Sequence, residues 1–403
     1  MNLMKMPYRT SHFVMKGMLN ILKLPTPPTL VGPGMIKRFP EIIALCNVHK
    51  AMIVTNEGLV SSGLLAPFMA ELEKSGIAHV LYLLPDTPPT FEDIYNGLDL
   101  YYSESCDGII AFGGGSVIDC GKVVAAKVTN DKPIPKMKGL FKLAHRLPPF
   151  FAVPTNAASG AEATIDALIL DTTNCEKFTI SDPKLAPLAA VLDAELCTGL
   201  SREATVTGAL STLTQAVESY LNRYDKNRVL DHAQSAVCSV LSTLEPLLKD
   251  PMNLKLRGEM LSAAHNAGLA KTRACPGYAQ TIAHALDAWY GIGEARAAAA
   301  TLPHVLRFNL ETSRKRLADL ALAAGLGEPA DGDTLLSDRF VACIDDLYTR
   351  LNFSAFVPEI RLCDIPELTK QILKEANPAY PIPRLMDAQE CSALLEALHL
   401  NQQ

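Results

Sequence analysis

Between Leu30 and Asp193 short β-prone apolar runs alternate with amphipathic stretches, and few folds accommodate that alternation. Ala51–Thr55, Ile77–Leu84, Gly108–Phe112 and Phe150–Pro154 read as strands; Leu64–Ser75 and Phe91–Glu104 have helical spacing between them. Strands that alternate with helices of about a dozen residues pair in parallel, because each crossover must return the chain to the same end of the sheet. The expectation is an α/β, Rossmann-like parallel sheet with helices on both faces. The Pro- and Lys-rich stretch Pro133–Pro149 is expected to be a loop.

From about Leu200 the character changes. Ala204–Arg223, Arg228–Leu248, Leu254–Thr272 and Tyr278–Tyr290 are Ala/Leu-rich with helical periodicity, and Arg314–Ala324, Leu336–Leu351 and Ala388–Leu398 continue the trend. The spacing predicts two domains, an α/β domain over 1–198 and an all-helical domain over 199–403. Asn377–Leu385, NPAYPIPRL, is expected to be a surface loop before the last helix.

Composition narrows the function classes. A net charge of -6 gives no reason to expect nucleic acid or an anionic membrane as a partner. No apolar run reaches the ~18 residues needed to span a bilayer. The N-terminal stretch is interrupted by Lys5, Arg9, His12, Lys16 and Lys23, which suits an amphipathic helix docked on the domain better than a signal peptide. The ten cysteines form no C-x-x-C pair and several lie inside apolar runs, so buried thiols in a cytoplasmic protein are expected.

Two loops have the chemistry of a ligand cradle. Gly113-Gly114-Gly115-Ser116 follows a strand and opens a helix that runs through Asp119 and Lys122. Glycines admit a diphosphate close to the backbone, and the free N–H groups of a helix start attract its charge. Ile118 occupies the last glycine position of the usual G-x-G-x-x-G pattern, and Asp119 reads equally well as a first-turn acid favoured by the helix dipole. Thr155, Ser159 and their small neighbours in Pro154–Glu162 suit a loop lying along a ligand, or simple helix capping.

A third stretch, Gly277–Val305, reads as a helix, a short break and a second helix.

With these segments in place the chain resembles the iron-containing (group III) alcohol dehydrogenase family over nearly its whole length. GGGSVIDCGK, PTNAASGAE, SDPKLAPLAAVLD, TLTQAVESY, and AHALDAWYGI with LPHVLRFN carry the resemblance. It implies a dinucleotide domain, a helical domain, and hydride transfer in the cleft between them, from or to a nicotinamide cofactor, NAD or NADP. It also implies a small alcohol, aldehyde or keto substrate and a homodimer or higher homo-oligomer. The cofactor would lie along Gly113, Gly114, Gly115 and Ser116, near Asp119, Thr155 and Ser159, with Lys177 beside it. Asn56 stands where NAD-using members often carry Asp; losing that charge removes repulsion of a 2′-phosphate and admits NADP.

The same resemblance places the family's iron or zinc on an Asp and a His four residues apart and on two His fourteen residues apart. Here those positions are Ser211, Gln215, Gln280 and Glu294. Hydroxyls and amides are poor ligands for either metal, so the family's metal is expected to be absent. His284 keeps its family position near the nicotinamide. Arg296, new relative to the family pattern, could supply the missing positive charge or pair with a nearby acid. His284, Glu294 and Arg296 are therefore the catalytic candidates. The reading is an NAD(P)-dependent oxidoreductase working without the metal. The alternatives are a non-catalytic dinucleotide-binding homologue and an NAD-dependent lyase of the dehydroquinate synthase type.

Overall fold

The computed structural model describes residues 6–223 and 227–399. Its N-terminal half contains strands β1 (Thr29–Val31), β2 (Lys50–Asn56), β3 (Ala78–Leu84), β4 (Gly108–Gly113), β5 (Gly139–Leu140), β6 (Phe150–Pro154), β7 (Asp166–Asp171), β8 (Glu176–Ser181) and β9 (Ala189–Leu192). Helices α1 (Met6–Ile21), α2 (Phe39–Leu45), α3 (Glu57–Ser61), α4 (Ala66–Lys74), α5 (Phe91–Ser103) and α6 (Gly115–Thr129) accompany them. Six strands form a wholly parallel sheet in the order β1-β9-β6-β4-β2-β3. Its central strands β4 and β6 are buried along their whole length, which explains their unbroken apolar sequences.

From β2 the chain moves outward to β3, then returns to the other side of β2 and continues through β4, β6 and β9. The order reverses between β2 and β4, and the crevice at the strand ends there is where a doubly wound sheet receives its ligand. Asn56 ends β2 and Gly113 ends β4.

A second, three-stranded sheet, β5-β8-β7, was not legible in the sequence. The stretch expected to be a loop over Pro133–Pro149 contains a short 3-10 turn at Ile134–Met137 and the two-residue strand β5. The buried Lys122 ammonium ties α6 to the turn before β7. It donates to the carbonyls of Ala161 (2.7 Å), Thr164 (2.9 Å) and Asp166 (2.7 Å) and to Thr164 Oγ1 (2.9 Å). Burial lowers its pKa to about 8.

Beyond β9 the chain is helical: α7 (Arg202–Leu221), α8 (Asn227–Lys249), α9 (Leu254–Ala274), α10 (Tyr278–Tyr290), α11 (Glu294–Ala323), α12 (Gly332–Leu351), α13 (Ile365–Ala379) and α14 (Ala388–His399). From Gly208 to Leu221 every residue of α7 is buried, as a helix surrounded by others must be. The docking of α1 follows the expectation but brings a correction with it. Arg9 donates to the carbonyls of Ile382 (2.7 Å) and Pro383 (2.9 Å), and His12 Nε2 pairs with the carbonyl of Asn377 (2.9 Å). The stretch Asn377–Leu385 is therefore largely buried beneath α1, not a surface loop, and α13 extends into it as far as Ala379.

The two halves meet at a pair of glycines. Gly160 has φ +61°, and a methyl on it would stand 2.1 Å from the carbonyl oxygen of Ala264 on α9. Thr212 on α7 donates to the carbonyl of Ala158 at 2.8 Å. All ten cysteines are free thiols. No helix among the described residues is long and apolar enough to cross a membrane.

Candidate active site

The Gly-rich turn packs directly on the loop after β6. A methyl on Gly114 would lie 2.6 Å from Asn156 Nδ2, and one on Gly115 2.6 Å from Ser159 Oγ. Close approach, not backbone conformation, demands glycine here. The Thr155 N–H donates to the Gly113 carbonyl at 3.2 Å, and Ser159 Oγ accepts from the Ala161 N–H at 3.3 Å. Ser116 is exposed in the first turn of α6, and Gly114 is its N-cap.

Asn56 caps α3, accepting from the Leu59 N–H at 3.0 Å. Asp119 accepts from the Leu168 N–H at 3.2 Å, so one oxygen anchors β7. Burial raises its pKa to about 6, against the pull of Lys122, with Glu294 adding to the rise. Asn56, Gly113, Gly114, Gly115, Ser116, Thr155 and Ser159 thus line the strand ends at the switch point.

Across the cleft, α10 carries Gln280, His284 and Asp287 at i, i+4 and i+7, which puts all three on one face. The buried Glu218 on α7 sets this helix in place. Its carboxylate accepts the backbone N–H groups of Gly277 (3.1 Å), Ala279 (2.7 Å) and Gln280 (3.2 Å) at the open N-terminus of α10. Gly291, at φ +63°, ends α10 in the left-handed conformation. Asp287 Oδ1 accepts the Gly293 N–H at 2.9 Å and so places Glu294 as the first residue of α11.

His284 is 2% exposed. Its Nδ1 meets Glu375 Oε1 on α13 at 2.9 Å, and the Tyr380 hydroxyl donates to the same oxygen at 2.9 Å. Nε2 is buried without a hydrogen-bond partner, 3.8 Å from Glu294 Oε1. Burial works against a charge on the ring, but Glu375 and Glu294 outweigh it and raise the pKa. The ring is held from behind and presents one free nitrogen.

Lys177 was expected beside the cofactor. The structure brings its ammonium, from β8, against Asp287 and within 3.3 Å of Glu294 Oε2. Lys177 and Asp287 are almost wholly enclosed, whereas the Glu294 side chain is 29% exposed. Burial raises the carboxyl of Glu294, but Lys177, His284 and Lys271 overcome that and hold it at about 2. Arg296 does not join this group: its guanidinium is paired with Glu359 at 2.7 Å, partly exposed. The cation that neutralises Glu294 is Lys177, because α11 turns Arg296 to a different neighbour.

At the other family ligand positions, Gln215 donates its amide to the Ser159 carbonyl at 2.9 Å, while Ser211 and Gln280 are buried. Among the described residues no group of three or more His, Cys, Asp or Glu is arranged to hold a metal ion. Two amides, a hydroxyl and a carboxylate already neutralised by an ammonium do not fit iron or zinc. Sequence reading missed Asp287, Glu375 and Lys271. Only Asp287 left a signal, its i+7 spacing from Gln280.

Residues 26–194 match the profile of the iron-containing alcohol dehydrogenases, and residues 205–399 match the C-terminal domain of the same family. The chain belongs to the iron-containing alcohol dehydrogenase family and is an alcohol dehydrogenase-like oxidoreductase. It is 30% identical over 374 residues to 1,3-propanediol dehydrogenase of Klebsiella pneumoniae, covering 90% of this chain and 95% of that one. Alcohol dehydrogenase 4 of Schizosaccharomyces pombe is 31% identical over 302 residues, 74% of this chain and 71% of its own. Among solved structures, a 1,3-propanediol oxidoreductase superposes with a TM-score of 0.89 at 27% identity, over 94% of this chain and all of that one.

Proposed function

We propose that this protein is an NAD(P)H-dependent carbonyl reductase that works without the family's metal and uses His284 as its proton donor. The observation that carries the reading is the buried, unpartnered Nε2 of His284, backed through Nδ1 by Glu375. The nicotinamide cofactor is supported by the Gly113–Ser116 turn at the sheet's switch point. Among relatives, the Bacillus methanolicus enzyme is named an NAD-dependent methanol dehydrogenase.

Reduction moves a hydride from the dihydronicotinamide to the carbonyl carbon while the oxygen takes a proton. The C–H bond of the cofactor breaks, a C–H bond forms on the substrate, and His284 Nε2–H supplies the proton, which solvent replaces. A divalent ion would polarise the carbonyl oxygen by several kcal/mol. Here that task falls on the imidazolium, a weaker electrophile that has the advantage of being enclosed. Small activated carbonyls, such as aldehydes and keto acids, suit this site better than simple ketones.

The test is fluorescence titration of chelator-treated protein with NADH and NADPH, followed by turnover on a panel of aldehydes and keto acids. Saturable binding and chelator-insensitive reduction are expected. Absence of cofactor binding, or activity that disappears with chelator and returns with iron, would overturn the reading.

A further inference from the structure

We infer that Lys177 is the resident cation of this site, and that with Asp287 and Glu294 it forms a built-in ion cluster that takes up Glu294, the one acid left at the family's metal-ligand positions. The inference rests on the metal-independent reading above and names the residues that make it possible.

The cluster joins Lys177 from β8 to Asp287 in the last turn of α10 and Glu294 at the start of the next helix, α11. The carboxylate oxygens are already committed. Asp287 Oδ1 takes the Gly293 N–H and Oδ2 takes the ammonium. Glu294 Oε2 faces the same ammonium at 3.3 Å, and Oε1 faces His284 Nε2 at 3.8 Å. A dication entering here would have to displace the ammonium from both acids or share them with it at close range, against strong repulsion in an enclosed site. Removing the ammonium would leave the enclosed Asp287 carboxylate and the partly exposed Glu294 carboxylate without their counter-charge, so the lysine is bound to its place.

The cluster also does something for the chemistry. All of the ammonium's visible contacts go to carboxylates, so Lys177 is a positioning residue, not a group that touches substrate. It holds Glu294, ionised, on the open side of His284 Nε2. Glu375 does the same at Nδ1. The imidazole therefore sits between Glu375 and Glu294, while the ammonium occupies Asp287 and Glu294 and keeps that pair of acids from becoming a metal site.

The cluster makes a reciprocal prediction. In Lys177→Met the two acids lose their counter-charge, and a divalent cation becomes the available substitute. Chelator-treated wild-type protein and the variant would each be melted with and without Mn²⁺. The wild-type midpoint should not move. The variant should melt lower and recover by about 5 °C on adding Mn²⁺, as a ligand that binds only the native state requires. Adding Glu294→Gln to the variant should abolish that recovery. If Lys177→Met does not fold, direct calorimetric titration of the wild-type protein with Mn²⁺ decides: no binding supports the inference. Stoichiometric, stabilising Mn²⁺ binding by the wild type, or a folded Lys177→Met indifferent to Mn²⁺, would overturn it. NADPH binding is a separate readout: its absence would overturn the reductase reading and leave the melting result standing.

Discussion

His284 Nδ1 lies 2.9 Å from Glu375 Oε1, while the ring's other nitrogen, equally buried, has no hydrogen-bond partner. A carboxylate behind an imidazole fixes its tautomer and orientation and stabilises the imidazolium. In the proposed reduction the free nitrogen is the one that gives its proton to the substrate oxygen. His284→Asn should lower kcat by about a hundred-fold or more, the range for losing a general acid, with little change in cofactor affinity. Glu375→Gln should lower kcat by about ten-fold at nearly constant KM. Steady-state kinetics on both variants check this; equal losses in KM would instead point to substrate binding.

The pH dependence follows from the same geometry. The charges around His284 are Glu375 behind it, Glu294 in front, Glu218 on α7 and Lys271 on α9. Burial lowers the ring's pKa, but the carboxylates outweigh it and the net shift is upward. A donor with a raised pKa is loaded at low pH and emptied as pH rises through the folded value. Reduction should therefore persist above the pH at which an ordinary histidine loses its proton and decline as pH rises through the raised folded value. Because the folded pKa exceeds the unfolded one, the ring's contribution to stability is complete below the ordinary histidine value and is lost as pH rises from there through the folded value. A pH–rate profile of kcat checks the first statement, and Glu375→Gln should move its alkaline limb to lower pH.

Asn56 closes α3 from the end of β2, at the edge of the cofactor crevice. Aspartate caps a helix as well as asparagine, so Asn56→Asp should leave the fold unchanged. Its charge should accept ribose hydroxyls and repel a 2′-phosphate. The ratio of kcat/KM for NADPH over NADH should fall about ten-fold, equivalent to ~1.4 kcal/mol. Initial rates with the two cofactors measure it.

Gly160 sets the distance between the halves. At φ +61°, with the Ala264 carbonyl oxygen 2.1 Å from any added methyl, an alanine would be strained and would push the loop off α9. Gly160→Ala should cost about 2–4 kcal/mol of stability, and cofactor affinity should fall because Ser159 is its neighbour. Thermal or urea unfolding gives the first quantity and fluorescence titration the second.

Glu218 accepts three backbone N–H groups at the start of α10. Burial raises its pKa to about 7, although those same N–H groups and His284 pull it down. Glu218→Gln keeps one acceptor oxygen, brings two N–H donors toward donors, and should destabilise the protein by about 1–3 kcal/mol. Urea unfolding at neutral pH checks it.

The strand–helix alternation, the Gly-rich turn and the helical second half were all legible in the sequence, because each depends on neighbours within a few residues. The β7–β8 sheet was not, since Glu176–Ser181 offers only Phe178 and Ile180 as apolar residues, too few to mark a strand, and its burial pattern also takes in Lys177 and Ser181. The stretch Asn377–Leu385 read as surface because its prolines signal a turn, and only the packing of α1 buries it.

At the site, the sequence alone determined that the four family ligand positions had changed together and that His284 remained. It could not determine which cation Glu294 meets. Lys177, Glu375 and the pair Asp287 and Glu294 come from stretches about a hundred residues apart, and no periodicity links them across that distance. Charge pairing of that kind is settled by which side chains share a low-dielectric space. That is a property of packing: it gave Glu294 to Lys177 and turned Arg296 to Glu359.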